Sequence, residues 1–268
     1  MDRIQHRRVL VPADGNGNGI DANAQAFIDE AVILDESLIT AINNLYLKLK
    51  ASLNVFSRVL EFLPVVGGDA FKHSVYGKNP LRTKVEWINA PTQNADGVTY
   101  NGTTQLGKSG FKPVDEMVEN NTGSTVSSGT SGSGQSDIGI FDGSNHFLLR
   151  VNISGSFSGL HYASAAGESI SVANADGEGE YTISRRSSND HEGYKNGVSV
   201  DTGNDESTRN LPVTGNPDFY IGARNSTGSP DLYKAVNHKF YVWHQGLTSA
   251  EVAELHAAIA AFNTELGR

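Results

Sequence analysis

The sequence contains no cysteine, so neither a disulfide nor a thiolate-held metal can contribute to it. It also lacks basic excess: 21 Lys and Arg stand against 30 Asp and Glu, a formal net charge of −9. A phosphate backbone demands concentrated positive charge, so no nucleic-acid partner is expected. The one basic cluster, Arg3, His6, Arg7 and Arg8, reads as a solvated arm or a protein contact. No apolar run approaches the roughly 18 residues that cross a bilayer, which argues against membrane insertion. The first residues are charged and hold no apolar signal-peptide core, so a soluble chain made without Sec export is expected. The metalloprotease string H-E-x-x-H and the nucleophile elbow G-x-S-x-G are both missing. No cofactor, no metal and no catalytic residue are therefore expected.

What is present is glycine, 29 residues of it, in a chain long enough at 268 residues for one large β-domain and a smaller unit. Residues 1–21 read as an extended arm. Within it Asp14, Asn16, Asn18 and Gly19 imitate the opening of a calcium loop. The closing position is Gln25 rather than a bidentate glutamate, so calcium binding is not expected there. Residues 22–63 follow a helical period. Phe27, Ile28, Ala31 and Leu34 form one stripe, Asp35-Glu36-Ser37 marks a break and a new N-cap, and Leu38, Ile42, Leu45 and Leu49 form the next. Leu53, Phe56, Leu60 and Leu63 extend the same spacing, which predicts two or three short packed helices. Pro64-Val65-Val66-Gly67-Gly68 ends them.

From residue 84 the period becomes two. Val85 and Trp87, Ile138 and Ile140, Phe147 to Ile153, Ile170 and Val172, and Tyr181 and Ile183 all alternate. Asn196-Gly197 is a type I′ hairpin signal. Thr122 to Ser136 is nearly all Gly, Ser and Thr and reads as a flexible loop or a polar strand, with a surface fitted to a neighbouring subunit as the alternative. Near the end, Phe240 and Val242 should face one side of a strand and Tyr241 and Trp243 the other. Thr248 and Glu251 have capping-box spacing, and Val252, Leu255, Ile259, Phe262 and Leu266 stripe a helix that stops at Gly267.

Strand, strand, Leu247-Thr248-x-x-Glu251 and a closing helix resemble the C-terminus of concanavalin A-like (laminin-G-like) jelly-roll domains. Further strings occur in a fixed order. They are Ala41-Ile42-Asn43-Asn44-Leu45, Leu63-Pro64-x-Val66-Gly67-Gly68, Phe71-Lys72-His73-Ser74, Lys78-Asn79-Pro80, Gly97 to Thr103, Tyr194-Lys195-Asn196-Gly197 and Phe219 to Asn225. Together they resemble a family of bacteriophage virion proteins that place a small helical module before a laminin-G-like domain. The resemblance covers roughly residues 38–268 and names no catalytic residue. It implies a mainly β chain: arm 1–21, helical docking and oligomerisation module 22–83, and a concanavalin A-like sandwich 84–268 with a C-terminal helix.

The expected function is that of a virion structural protein, assembled in the bacterial host cytoplasm, whose sandwich attaches to host-surface glycan. Its expected partners are further copies of itself, with a trimer as first expectation, and other virion proteins reached through the arm and helices. A purely structural decoration or connector protein is the first alternative. A polysaccharide depolymerase is the second, and it needs two carboxylates flanking the glycosidic bond. The E-x-D-x-E strand string is absent, and Asp115-Glu116-x-x-Glu119 has the wrong spacing for one strand face. Arg185-Arg186 beside Asp190-His191-Glu192 is the densest polar constellation. A solvated hairpin is the plainer reading. As a ligand site, Arg186, His191 and Tyr194 suit sugar hydroxyls and ring stacking.

Overall fold

The computed structural model describes residues 19–51, 53, 55–130, 132, 135–163, 169–203, 211 and 214–268. The arm up to residue 18, with Asp14, Asn16 and Asn18, lies outside the described residues.

Asp21 caps helix α1 (Ala22–Glu30) by accepting from the amides of Asn23 and Ala24. Asp35 does the same for α2 (Glu36–Leu49), accepting from Ser37 and Leu38. A single turn, α3 (Val55–Arg58), runs directly into strand β1 (Val59–Leu63). The helical reading of residues 59–63 is therefore corrected. Every position of β1 except Leu60 is buried, so apolar residues sit on both faces and no period of two is left to see. The short helix α4 (Ala70–His73) follows.

Two antiparallel sheets then stack. The first takes the order β13 (Val198–Gly203), β12 (Asp190–Lys195), β11 (Gly179–Ser187), β6 (Thr122–Ser128), β17 (Ala235–His244), β4 (Gly97–Asn101), β3 (Thr92–Asn94). Strand β1 joins it beside the second half of β17. The second takes the order β10 (Ser169–Ala173), β9 (Ser156–Ala163), β8 (His146–Ile153), β7 (Ile138–Phe141), β14 (Tyr220–Ile221), β5 (Leu106–Lys108), β2 (Glu86–Ile88). A small ribbon, β15 (Arg224–Ser226) with β16 (Ser229–Asp231), adds to β7 in parallel. One turn of helix, α5 (Pro113–Glu116), precedes β6. The fold is thus mainly β, a sandwich with helices, as the sequence pattern predicts.

The stretch 122–136 resolves in favour of the polar strand. Its first seven residues form β6, buried along its whole length at the centre of the first sheet. Small side chains are required on both faces. Ser124 sits opposite Trp243, which is fully buried between the sheets. A Cβ on Gly123 would lie 2.1 Å from the His244 ring.

Helix α6 (Ser249–Glu265) starts on Thr248 with a complete capping box to Glu251. It buries Val252, Leu255, Ile259 and Phe262. Strand β17 feeds two cores, as its alternation demands. Phe240 and Val242 join α1, α2 and α6 in a core on the outer face of the first sheet. Tyr241 and Trp243 point into the core between the sheets. The inter-sheet region also encloses charge: Asp137 accepts from Lys234 at 2.6 Å and lies 2.7 Å from His238 Nε2, with all three side chains buried. His238 in turn meets the Tyr241 hydroxyl, which meets that of Tyr100. The Lys234 ammonium and the hydrogen bonds from Lys234 and His238 hold Asp137 down at about 2 although burial alone would raise it.

Candidate functional site

The hairpin of β11 and β12 carries the three residues singled out from sequence, and the pleat divides them. Asp190, Glu192 and Tyr194 alternate with His191 and Gly193, so an odd spacing separates His191 from Tyr194. Arg186 and Tyr194 meet on the outer face. The Arg186 guanidinium donates twice to Asp190, at 2.6 and 2.7 Å, and also to Glu192, to the Tyr194 hydroxyl and to the Leu247 carbonyl. The Tyr194 hydroxyl donates to Glu192 and lies 3.2 Å from Ser249 Oγ at the start of α6. His191 turns the other way and stacks on His161 of β9, ring centroids 4.6 Å apart. Both imidazoles are buried between the sheets.

The expectation of sugar stacking on these three residues is corrected accordingly. Tyr194 is fully covered by α6 and its neighbours, and His191 is only 2% exposed. Of the three, Arg186 alone lines a surface concavity. Its pairing with Asp190 raises its already high pKa, and the same contact lowers that of Asp190. Burial pushes Tyr194 up to about 12, with Glu192 adding to the effect. Arg186 is thus a fixed, neutralised guanidinium.

The concavity beside it is an open groove of about 480 Å³ between β11, the 119–121 loop and the N-terminus of α6. Arg58, Glu119, Asn120, Arg186, Ser188 and Thr248 line it, and none of its lining side chains is apolar. The loop is held from below: Asn120 accepts from Arg185 Nε, and Asn121 accepts from the Gly246 amide. Arg58 reaches Glu251 at 3.2 Å. Each guanidinium in the groove therefore has a carboxylate partner, and the groove offers hydrogen bonds without a dominant charge.

A second, smaller cleft of about 270 Å³ lies at the other end of α6, where Glu178 and Glu180 face His256 and Asn263. The sequence pattern singles out neither glutamate as a site residue. Their alternate spacing at the head of β11 was the available signal, since period two puts them on one face. Among the described residues, no cluster of three or more His, Asp or Glu side chains is placed to hold a metal. No helix among the described residues is long and apolar enough to cross a membrane.

No protein-family profile matches the chain, and no curated protein matches its sequence. Partial similarity to solved structures is found. The Trypanosoma rangeli sialidase in complex with sialic acid is similar at a TM-score of 0.49 and 17% identity, over 75% of this chain and 33% of that one. The Ruminococcus gnavus IT-sialidase CBM40 bound to α2,3-sialyllactose is similar at 0.41 and 14%, over 51% of this chain and 82% of that one. The NanB sialidase of Streptococcus pneumoniae is similar at 0.40 and 13%, over 52% of this chain and 24% of that one.

Proposed function

We propose that this chain is a phage virion protein whose sandwich attaches to host-surface glycan by binding without turnover. The order of sequence strings along residues 38–268 motivates the virion assignment. The observation that supports glycan binding is the groove beside Arg186: wholly polar, charge-paired and about 480 Å³, it suits a hydroxyl-rich ligand that both donates and accepts hydrogen bonds. Its one lining carboxylate, Glu119, has no second acid beside it in that groove, whereas hydrolysis takes a pair. Affinity at one such site is weak, and many copies on a symmetric particle multiply it. In this reading the helical layer and the arm dock to the particle, and the chain forms a homo-oligomer, a trimer first.

The test is binding of the purified protein to host cells and to their envelope polysaccharide, alongside Arg58→Ala and Glu119→Ala. Saturable binding that both variants weaken, with no new reducing ends, is the expected result. Release of reducing ends would replace attachment by depolymerisation. Absence of binding to cells and polysaccharide would leave the purely structural role.

A further inference from the structure

We infer that the cleft at the C-terminal half of α6 is a second, separate binding site for a neutral, hydroxyl-rich ligand the size of one sugar ring. It deepens the glycan reading, but it rests on its own observation. Glu180 is only 4% exposed, yet neither of its carboxylate oxygens accepts a hydrogen bond. Its one near partner is the imidazole of His256, whose Nδ1 lies 3.5 Å away, a long ion-pair contact that holds the His256 pKa up. A buried carboxylate lacking donors is costly, by roughly 1–3 kcal/mol or more, unless something supplies them. The backbone around it is already satisfied: the Glu180 amide donates to Asn196 Oδ1 at 2.9 Å, and the Asn196 amide donates to the Glu180 carbonyl at 2.8 Å. The backbone is thus fixed in place, and beyond His256 the further donors the carboxylate needs come from the cleft it lines.

The lining selects the ligand class. Glu178 and Glu180 disfavour an anion, while Lys239, Arg268 and His256 disfavour a cation. Ala260 is the only apolar side chain in the wall, which disfavours a greasy ligand. What remains is a neutral molecule whose hydroxyls donate to Glu180 and accept from side chains such as Lys239. The rest of the wall is firm. Asn263 donates to Ser127 Oγ at 3.2 Å and accepts from Arg268 Nε at 3.0 Å. Arg268 is itself held by the carbonyls of Pro64, Val65, Ala95 and Lys239. At about 270 Å³ the cleft holds about nine water volumes, enough for one sugar ring. It lies along α6 from the Arg186 groove, roughly 18 Å away if measured from Thr248 to Ala260 at the helical rise. A polysaccharide long enough to occupy both sites gains through effective concentration.

The experiment is a titration of the intact protein with glucose, galactose, mannose and N-acetylglucosamine, followed by amide and side-chain NMR shifts. Asn196 and Asn263 report the cleft, and Asn120 and Asn121 report the groove. At least one sugar should shift the cleft signals. Glu180→Gln and Lys239→Ala should each weaken that response by about tenfold, while Glu119→Ala leaves it unchanged. Lys239→Ala removes a side chain that the core does not use, so it tests the site even if Glu180→Gln perturbs folding. No shift at Asn196 or Asn263 with any of the four sugars overturns the inference, as does an unchanged response in both cleft variants. Shifts confined to Asn120 and Asn121 would overturn it while leaving the glycan-binding function standing. Shifts confined to the cleft would do the reverse for the groove.

Discussion

The two cores of this protein are built from different chemistry on opposite faces of one sheet. Outside it, Phe62, Phe240 and Val242 meet the apolar faces of α1, α2 and α6 in a layer of aliphatic and aromatic side chains. Between the sheets, aromatic packing surrounds a buried Asp137–Lys234–His238 cluster and a stacked histidine pair. Apolar burial is non-directional and tolerates small adjustment, whereas a buried charge cluster is held only by its particular partners. The outer core therefore fastens the helices on, and the inner one fixes how two sheets face each other. The Glu180 cleft opens at the margin of the outer layer, where α6 lies over the first sheet.

The sharpest way to break the comparison is at Asp137. Asp137→Ala orphans Lys234, weakens His238 and frees the Val151 amide, so a loss of about 3–5 kcal/mol is expected. Urea unfolding should show it as one cooperative transition. Replacing Asp137 and Lys234 together by apolar residues should cost much less, since no lone charge remains buried. In the outer core Phe262→Ala should also cost about 3–5 kcal/mol, through the cavity it leaves against Phe240. If the helices unfold separately in that variant, seen as two transitions by circular dichroism and tryptophan fluorescence, the outer layer is an independent unit.

The seam between the cores is sensitive to pH. Glu61 on β1 is buried, and burial pushes its pKa up from about 4.5 to about 7. Its stabilising share is present below about 4.5 and is lost as pH rises through about 7, an effect of about 3 kcal/mol. Burial pulls His73 and His244 down to about 4, so their share is present above the ordinary histidine value and is lost as pH falls toward 4. The two trends oppose each other between pH 7 and 5. Glu61→Gln should therefore make stability fall more steeply on acidification, read from urea midpoints at pH 5, 6, 7 and 8. The smallest effect is expected at the helix start. Thr248→Ala removes one half of the capping box and should cost about 1 kcal/mol, with a matching drop in thermal midpoint.

Much of this was legible in the residues. Strands with one polar face announced themselves by alternation, and the capping box placed α6 to the residue. Both cores could be read from β17 alone. Strand β1 was hidden because Leu60 and Leu63 continue the helical spacing of Leu53 and Phe56, while burial on both faces erases period two. Strand β6 was half hidden, since Ser, Gly and Thr offer no contrast between faces. At the candidate site, the sequence pattern picks out residues on one hairpin but not the direction each side chain takes. Arg186 lines a groove; Tyr194 and His191 fill space on opposite sides of one strand. Strand parity would have separated them. Glu180 carried no composition signal, because its interest lies in donors it lacks in three dimensions.

The pairing of β1 with β17 has a consequence for how the protein is made. Residues 59–63 meet residues 241–244, and β17 also pairs with β4 and β6. The first sheet thus cannot close until the last of its strands has left the ribosome. At about 5–20 residues per second, the roughly 170 residues between those strands take on the order of ten to thirty-five seconds to synthesise. Throughout that interval the apolar stripes of α1 and α2 and both faces of β1 wait without their partners. Long-range pairing of this kind also slows folding once the chain is complete. Newly made chains should therefore depend on chaperones, and full-length yield should fall more steeply with expression temperature than the stability of the finished sandwich would suggest.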